Sequence, residues 1–313
     1  MTAQCRATVV VAIEHSAENV AQSLANLNPS GHPDVEFIFC HATSASSMPD
    51  ADPLAALAAL PANVKSLQSP VGSRIPHMWR DGLMAANAER VGLLSAHCIP
   101  APDWLSSVLA LSFGPTDAAI GGYLTNSGDA KASDWAIYLL RYVNYSRPRS
   151  EQCLNIAADN AVYLRSEILR YPKLLARGFW EPEFHREFLR CGLTLRLSPA
   201  LQAIHCNRYS PTAFAKQRRD HGFEFGCDRG RRLSTFQLVG YVLAAPLIPL
   251  VFFSKIRGSA QRQGWWREVP FGTALWLGYF ILHWAAGETR GLLTELVNRT
   301  GMTSWKPRTP NCP

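Results

Sequence analysis

The first hundred residues alternate between two hydrophobic periods, and that alternation constrains the fold more than any other feature of the chain. ATVVVAI (7–13), VEFIFC (35–40) and RVGLLSAH (90–97) are short apolar runs of the kind buried in a sheet, with NVKSLQSP (63–70) a weaker one. Between the first two, Val20, Leu24 and Leu27 recur at helical spacing until Asn28-Pro29-Ser30-Gly31 stops the pattern. DPLAALAAL (52–60) and residues 74–89 read as two further helices. Strands alternating with helices at this pitch predict an α/β fold, a mixed but mostly parallel sheet flanked by helices. Ligands of such sheets gather at the carboxyl ends of the strands. His97, in Ser95-Ala96-His97-Cys98, stands at one of those ends. Strand alternation carried through the run puts Ser95 and His97 on one face and Cys98 on the other, as a small buried residue.

The middle of the chain is less regular. AAIGGYL (118–124) reads as a strand with a close backbone approach at Gly121-Gly122, DWAIYLLRYVNY (134–145) as an aromatic-rich helix, and AADNAVYLRSEIL (157–169) as a turn into a helix. FWEPEFHREFLRCG (179–192) predicts a helix opened by Pro182 and closed by Gly192, with Glu181 and Glu183 at its positive end and Phe184, Phe188 and Cys191 on its core face.

After residue 232 the character changes. Residues 236–253 carry no charge over 18 positions, and residues 269–287 are almost as apolar. The flanks are basic. Residues 201–313 sum to +9, against −2 for residues 1–200. Pro246 and Pro249 interrupt the first run, and a spanning first run would put Lys255, Arg257, Arg262 and Arg267 outside, against the positive-inside tendency. An apolar helical hairpin lying in or re-entering an anionic membrane surface is therefore expected, with Trp265 and Trp266 at headgroup level. The expected division is 1–232 as a catalytic-type α/β domain and 233–313 as a membrane-associated helical region. Eight scattered cysteines without a CxxC argue for a reducing compartment. The N-terminus has no signal-peptide pattern, which favours the cytoplasmic face of the membrane. No nucleic-acid-binding module is present, so nucleic acid is not an expected partner.

Three stretches carry a resemblance. VVVAIEHSAENVAQSLANL (9–27), WRDGLMAANAERVGLLSAHCIPAPDWL (79–105), and DNAVYLRSEIL (159–169) with GFWEPEFHREFLRCGLTLRLSPALQAIH (178–205) occur in the order seen in the family-2 glycosyltransferases. The chain resembles that family over roughly residues 7–232. The resemblance implies a GT-A fold and transfer of a sugar from a nucleotide-diphospho sugar, with inversion, to a lipid-linked or polysaccharide acceptor. It also implies a divalent metal, Mn or Mg, near the phosphates. The chain departs from the family pattern at three places. His97 replaces the second aspartate of an Asp-x-Asp motif, Cys40-His41-Ala42 replaces base-gripping aspartates, and Glu181-Pro182 replaces a Glu-Asp pair.

The chemistry needs the diphosphate charge neutralised and the acceptor hydroxyl deprotonated as it attacks. The resemblance makes His97 and His205 the candidate metal ligands; hydrogen bonding to phosphate or backbone is the alternative for His97. Glu181 is the first candidate for the general base and Glu183 the second, against a purely helix-stabilising role for both. Ser95 shares the strand-end face with His97. Asn160 is a candidate sugar contact or a helix cap. Arg218 and Arg219 are candidates for holding the diphosphate, against contact with anionic lipid. A second function class stays open, a non-catalytic GT-A domain that binds a nucleotide sugar or a partner at the membrane.

Overall fold

Residues 7–13 and 35–41 are buried on both faces, as a central parallel strand requires. The computed structural model describes residues 5–14, 17–42, 61–206 and 209–300. The helix expected at 52–60 lies outside the described residues. The described part divides into two units, residues up to 127 together with 144–208, and residues 128–143 together with 209 onward.

The first unit is built on one sheet. Its strands are β1 (Ala7–Ile13), β2 (Val35–His41), β3 (Val64–Gln68), β4 (Arg90–Ser95), β5 (Cys98–Pro100), β6 (Asp117–Asn126), β7 (Glu151–Cys153), β8 (Asn160–Leu164) and β9 (Thr194–His205). The order is β3-β2-β1-β4-β8-β6-β9-β5, with β7 also on β9. β3, β2, β1 and β4 are mutually parallel; β8 is antiparallel to β4 and β6, and β6 and β9 are parallel. The sheet is thus mixed α/β.

Alternation along β1 sorts the two cores. Val9 and Val11 pack with Val20, Leu24, Leu27, Trp104 and Val108, from α1 (Ala17–Leu27) and α3 (Trp104–Ala110). Val10 and Ala12 face the other way, onto Met78, Trp79 and Leu83 of α2 (Ile75–Ala85). The same cluster takes in Phe184 and Phe188, which lie on α7 (Glu181–Arg190). Two short helices, residues 165–169 and 172–175, precede α7. Cys191 ends α7 exposed, and His185 is the further residue that this helix buries.

The glycine pair in β6 does require a close approach. A Cβ on Gly122 would sit 2.1 Å from the Leu201 carbonyl oxygen.

The second unit is helical. It contains Ala132–Tyr142, Pro211–Arg232, Thr235–Ala244, Ile248–Arg262 and Thr273–Thr300. The helix 211–232 belongs to this unit. It packs backbone to backbone on 273–300. A Cβ on Gly226 would lie 2.2 Å from the Glu288 carbonyl oxygen, and one on Gly287 would lie 2.1 Å from that of Arg219. Glycines at i and i+4 on both helices are what allow this approach. Arg229 closes the seam with a 2.6 Å ion pair to the buried Glu288.

Pro246 and Pro249 sit at the starts of a 3-10 turn and of helix 248–262, where proline is tolerated, so the first apolar run stays helical. Among the described residues, one helical stretch, Thr235–Arg262, is long and apolar enough to cross a membrane; 11% of its most apolar 18-residue window is buried. Helix 273–300 instead buries Leu277, Phe280, Ile281 and Leu292 while exposing Leu275 and Leu282.

Candidate active site at the strand ends

β4 stops at Ser95, and Ala96-His97 form a two-residue turn before β5. The turn is pinned on both sides. The Ala96 N–H donates to the Ala12 carbonyl of β1 at 2.8 Å, and the His97 carbonyl accepts from the Cys206 N–H at 2.8 Å. A turn breaks strand alternation, so the expected separation of Cys98 from His97 does not hold.

What results is a buried polar cluster. Ser95 Oγ donates to Asp159 Oδ1 at 2.5 Å and lies 3.1 Å from His97 Nε2, itself 3.4 Å from the same carboxylate oxygen. The ligand-type atoms of His97, Cys98 and Asp159 all fall within 4.8 Å of one another. β9 brings in His205, which is paired with Cys98 across the β5/β9 register. The two imidazole rings meet edge to face with centroids 5.7 Å apart. His205 Nδ1 lies 3.3 Å from Asn126 Oδ1, a carbonyl-type acceptor, which places the proton on Nδ1. Ser95 and His205 are fully buried; His97 and Asp159 are nearly so.

Asp159 is the central residue that the sequence reading did not select. Its signal was present once β8 is seen as a strand, because the antiparallel register pairs Leu94 with Asn160. One step outward, that register sets Asp159 opposite Ser95.

The start of α7 adds the second element. Glu183 is ion-paired with Arg177 at 2.5 Å. Glu181 bears on the interior instead. Burial first, and then the Glu181 charge, push the Tyr163 hydroxyl well above its ordinary range, and the Asp159 charge contributes in the same direction. Tyr163 therefore links helix start and strand end electrostatically. Its hydroxyl lies 3.0 Å from His185 Nε2, while His185 Nδ1 lies 3.3 Å from Asn155 Oδ1. Nδ1 then carries the proton and Nε2 accepts from tyrosine. Burial lowers the His185 pKa to about 3, so this imidazole is neutral.

The mannosyltransferase PcManGT from Pyrobaculum calidifontis, solved in complex with GDP-Man and Mn2+, matches this chain with a TM-score of 0.55. The match covers 92% of this chain and 88% of that one at 14% identity. The chain shares the fold of that protein. No family model matches the sequence, and no curated protein does. In this fold the cluster sits where a parallel strand ends, the place α/β sheets use for ligands.

The remaining sequence candidates lie away from this cluster's hydrogen bonds or are engaged by other protein groups. Asn160 opens β8, not a helix, and its amide is engaged by the protein. Trp104 Nε1 donates to Asn160 Oδ1 at 2.7 Å, and Asn160 Nδ2 donates to the carbonyls of Tyr123 at 2.9 Å and Leu201 at 3.2 Å. Asn160 thus caps no helix and joins α3, β6, β8 and β9. Arg218 and Arg219 lie on helix 211–232 of the second unit. Arg218 stacks over the rings of Phe214 and Trp284 and donates to His221 Nδ1 at 3.0 Å. Arg219 donates to His283 Nδ1 at 3.1 Å. The base-side position Cys40-His41 ends β2 as a buried pair, and burial, with the Asp81 charge behind it, pushes the Cys40 thiol up to about 12.

Proposed function

We propose that the protein is an inverting glycosyltransferase of GT-A type, similar to family 2, that moves a sugar from a nucleotide-diphospho sugar to a lipid-linked or glycan acceptor. The observation that carries this reading is the buried Ser95–His97–Asp159 cluster, with His205 beside it, at the end of a parallel strand in this fold. The His97 imidazole and the Asp159 carboxylate fit a divalent cation, because they combine a borderline nitrogen donor with a hard charged oxygen. A divalent cation held by His97 and Asp159 supplies charge neutralisation to the diphosphate when bound.

The protein's own groups have separable tasks. Ser95 holds the Asp159 carboxylate by its hydroxyl, and His97 and His205 present nitrogen toward the phosphates. Glu181, at the positive end of α7, accepts the acceptor hydroxyl's proton; Glu183, tied to Arg177, stabilises the helix start. The exposed apolar surface of 235–262, with Lys255, Arg257, Arg262, Trp265 and Trp266 near it, supports association with an anionic membrane surface on the cytoplasmic side, as a re-entrant or interfacial element. Arg218 and Arg219 are then charges of the membrane-associated unit.

The test is turnover of a sugar-nucleotide panel by the full chain, with and without manganese. Glu181→Gln is expected to lower turnover about a hundredfold or more at unchanged donor affinity, and Glu183→Gln to leave turnover within a fewfold. Normal turnover in Glu181→Gln would remove the base assignment. Absence of transfer or hydrolysis with every donor would remove the function.

A further inference from the structure

We propose that Cys98 is itself a metal ligand, so that the strand-end site selects a borderline-soft divalent cation of the zinc and cobalt class over magnesium. The inference deepens the reading of this site given above and rests on it for the site's location.

The turn at Ala96-His97 is what makes it available. Had the strand continued, Cys98 would point away from His97; instead its sulfur joins His97 and Asp159 in a set of ligand-type atoms within 4.8 Å of one another. With metal–sulfur, metal–nitrogen and metal–oxygen bonds of about 2.0–2.3 Å, neighbouring donors around a tetrahedral ion stand about 3.3–3.8 Å apart. The present separations, at most 4.8 Å, therefore need closing by about 1.5 Å at most. His97 Nε2 and Asp159 Oδ1 are already 3.4 Å apart.

Chemistry then sets the selectivity. A thiolate and an imidazole are poor partners for magnesium, which demands oxygen ligands, and good ones for zinc or cobalt. Three protein ligands leave one position open for a phosphate oxygen, as catalytic zinc sites do. The supporting shell is present too. Ser95 donates to the ligating carboxylate, and Asn126 fixes the tautomer of the adjacent His205. On binding, the Cys98 S–H bond breaks, its proton leaves to solvent, and the sulfur lone pair is donated to the ion; no electron is transferred.

The experiment is a titration of the metal-free full chain with Co2+, followed by absorbance. A thiolate-to-cobalt charge-transfer band in the near ultraviolet is expected at one equivalent. Stoichiometric Zn2+ should abolish it, and a hundredfold excess of Mg2+ should leave it in place. Cys98→Ser should lose the band and weaken cobalt binding at least tenfold, whereas Cys227→Ser should keep it. No band in the wild-type chain, a band surviving in Cys98→Ser, or displacement by magnesium would each overturn the inference. The wild-type arms stand even where Cys98→Ser fails to fold. Sugar-nucleotide turnover measured on the same sample separates the two readings. Turnover without a cobalt band removes the thiolate site alone, and a cobalt band without turnover of any donor removes the transferase function alone.

Discussion

His185 offers a test that depends on a single buried proton site. The imidazole is buried, stacked on Tyr163 with an interplanar angle of 11°, and hydrogen-bonded at both nitrogens. Its folded pKa of about 3 lies below the value of about 6.5 expected in the unfolded chain. Between those values the unfolded chain binds a proton that the folded one does not, so stability rises with pH across the window and is lost as pH falls below 6.5. From pH 6.5 to pH 4 the loss amounts to about 3 kcal/mol, at 1.36 kcal/mol per unit. His185→Gln removes the titration while keeping an acceptor for Tyr163 and a donor for Asn155. At pH 7 the variant should be less stable by about 1 kcal/mol, the worth of the lost ring stacking. At pH 4 the order should reverse, because only the wild type has lost the extra 3 kcal/mol. Denaturant unfolding of both chains at half-unit steps from pH 7 to pH 4 reads the difference directly, and acidic groups common to both cancel. A wild-type-to-variant difference that stays constant across this range would refute the argument.

Two further substitutions test the packing. Gly226→Ala should cost about 1–3 kcal/mol, because its methyl meets the Glu288 carbonyl at 2.2 Å. Gly240→Ala, with nothing within 4 Å, should be neutral or stabilising by up to about 1 kcal/mol; equal thermal shifts for the pair would contradict the interlocked helices. Asn160→Ala should destabilise the first unit by about 3 kcal/mol, through buried partners left unsatisfied, at unchanged donor KM per folded molecule. A raised KM at full stability would restore the sugar-contact role.

Much of this architecture was legible in the chain because β1, β2 and β4 are apolar on both faces and bounded by turn residues, which a buried parallel sheet requires. β8 was not, since NAVYL is five residues long and runs into RSEIL without a breaker, so the whole stretch reads as helical. Missing that strand hid Asp159. Cys98 is buried as expected, but its placing on the face opposite His97 failed for a different reason. Period-2 logic holds only while a strand persists, and two residues of turn suffice to bring its sulfur back toward His97. In the second unit, glycines 222, 226 and 230, and 287 and 291, carry a visible spacing of four. Arg218 and Arg219, just before the first of them, drew attention to phosphate, whereas the glycines decide how the helices pack. His97 was found because it follows directly on an apolar run, and strand ends are where this class of sheet gathers ligands; His205 was found through the family resemblance.

The central claim is that a buried imidazole–carboxylate cluster at a strand end receives diphosphate charge. Calorimetric binding of a nucleoside diphosphate in manganese to the wild type, His97→Ala and Asp159→Asn tests it most directly. Each substitution is predicted to raise Kd at least tenfold, about 1.4 kcal/mol, with the fold retained. Affinities equal to the wild type in both folded variants would contradict it.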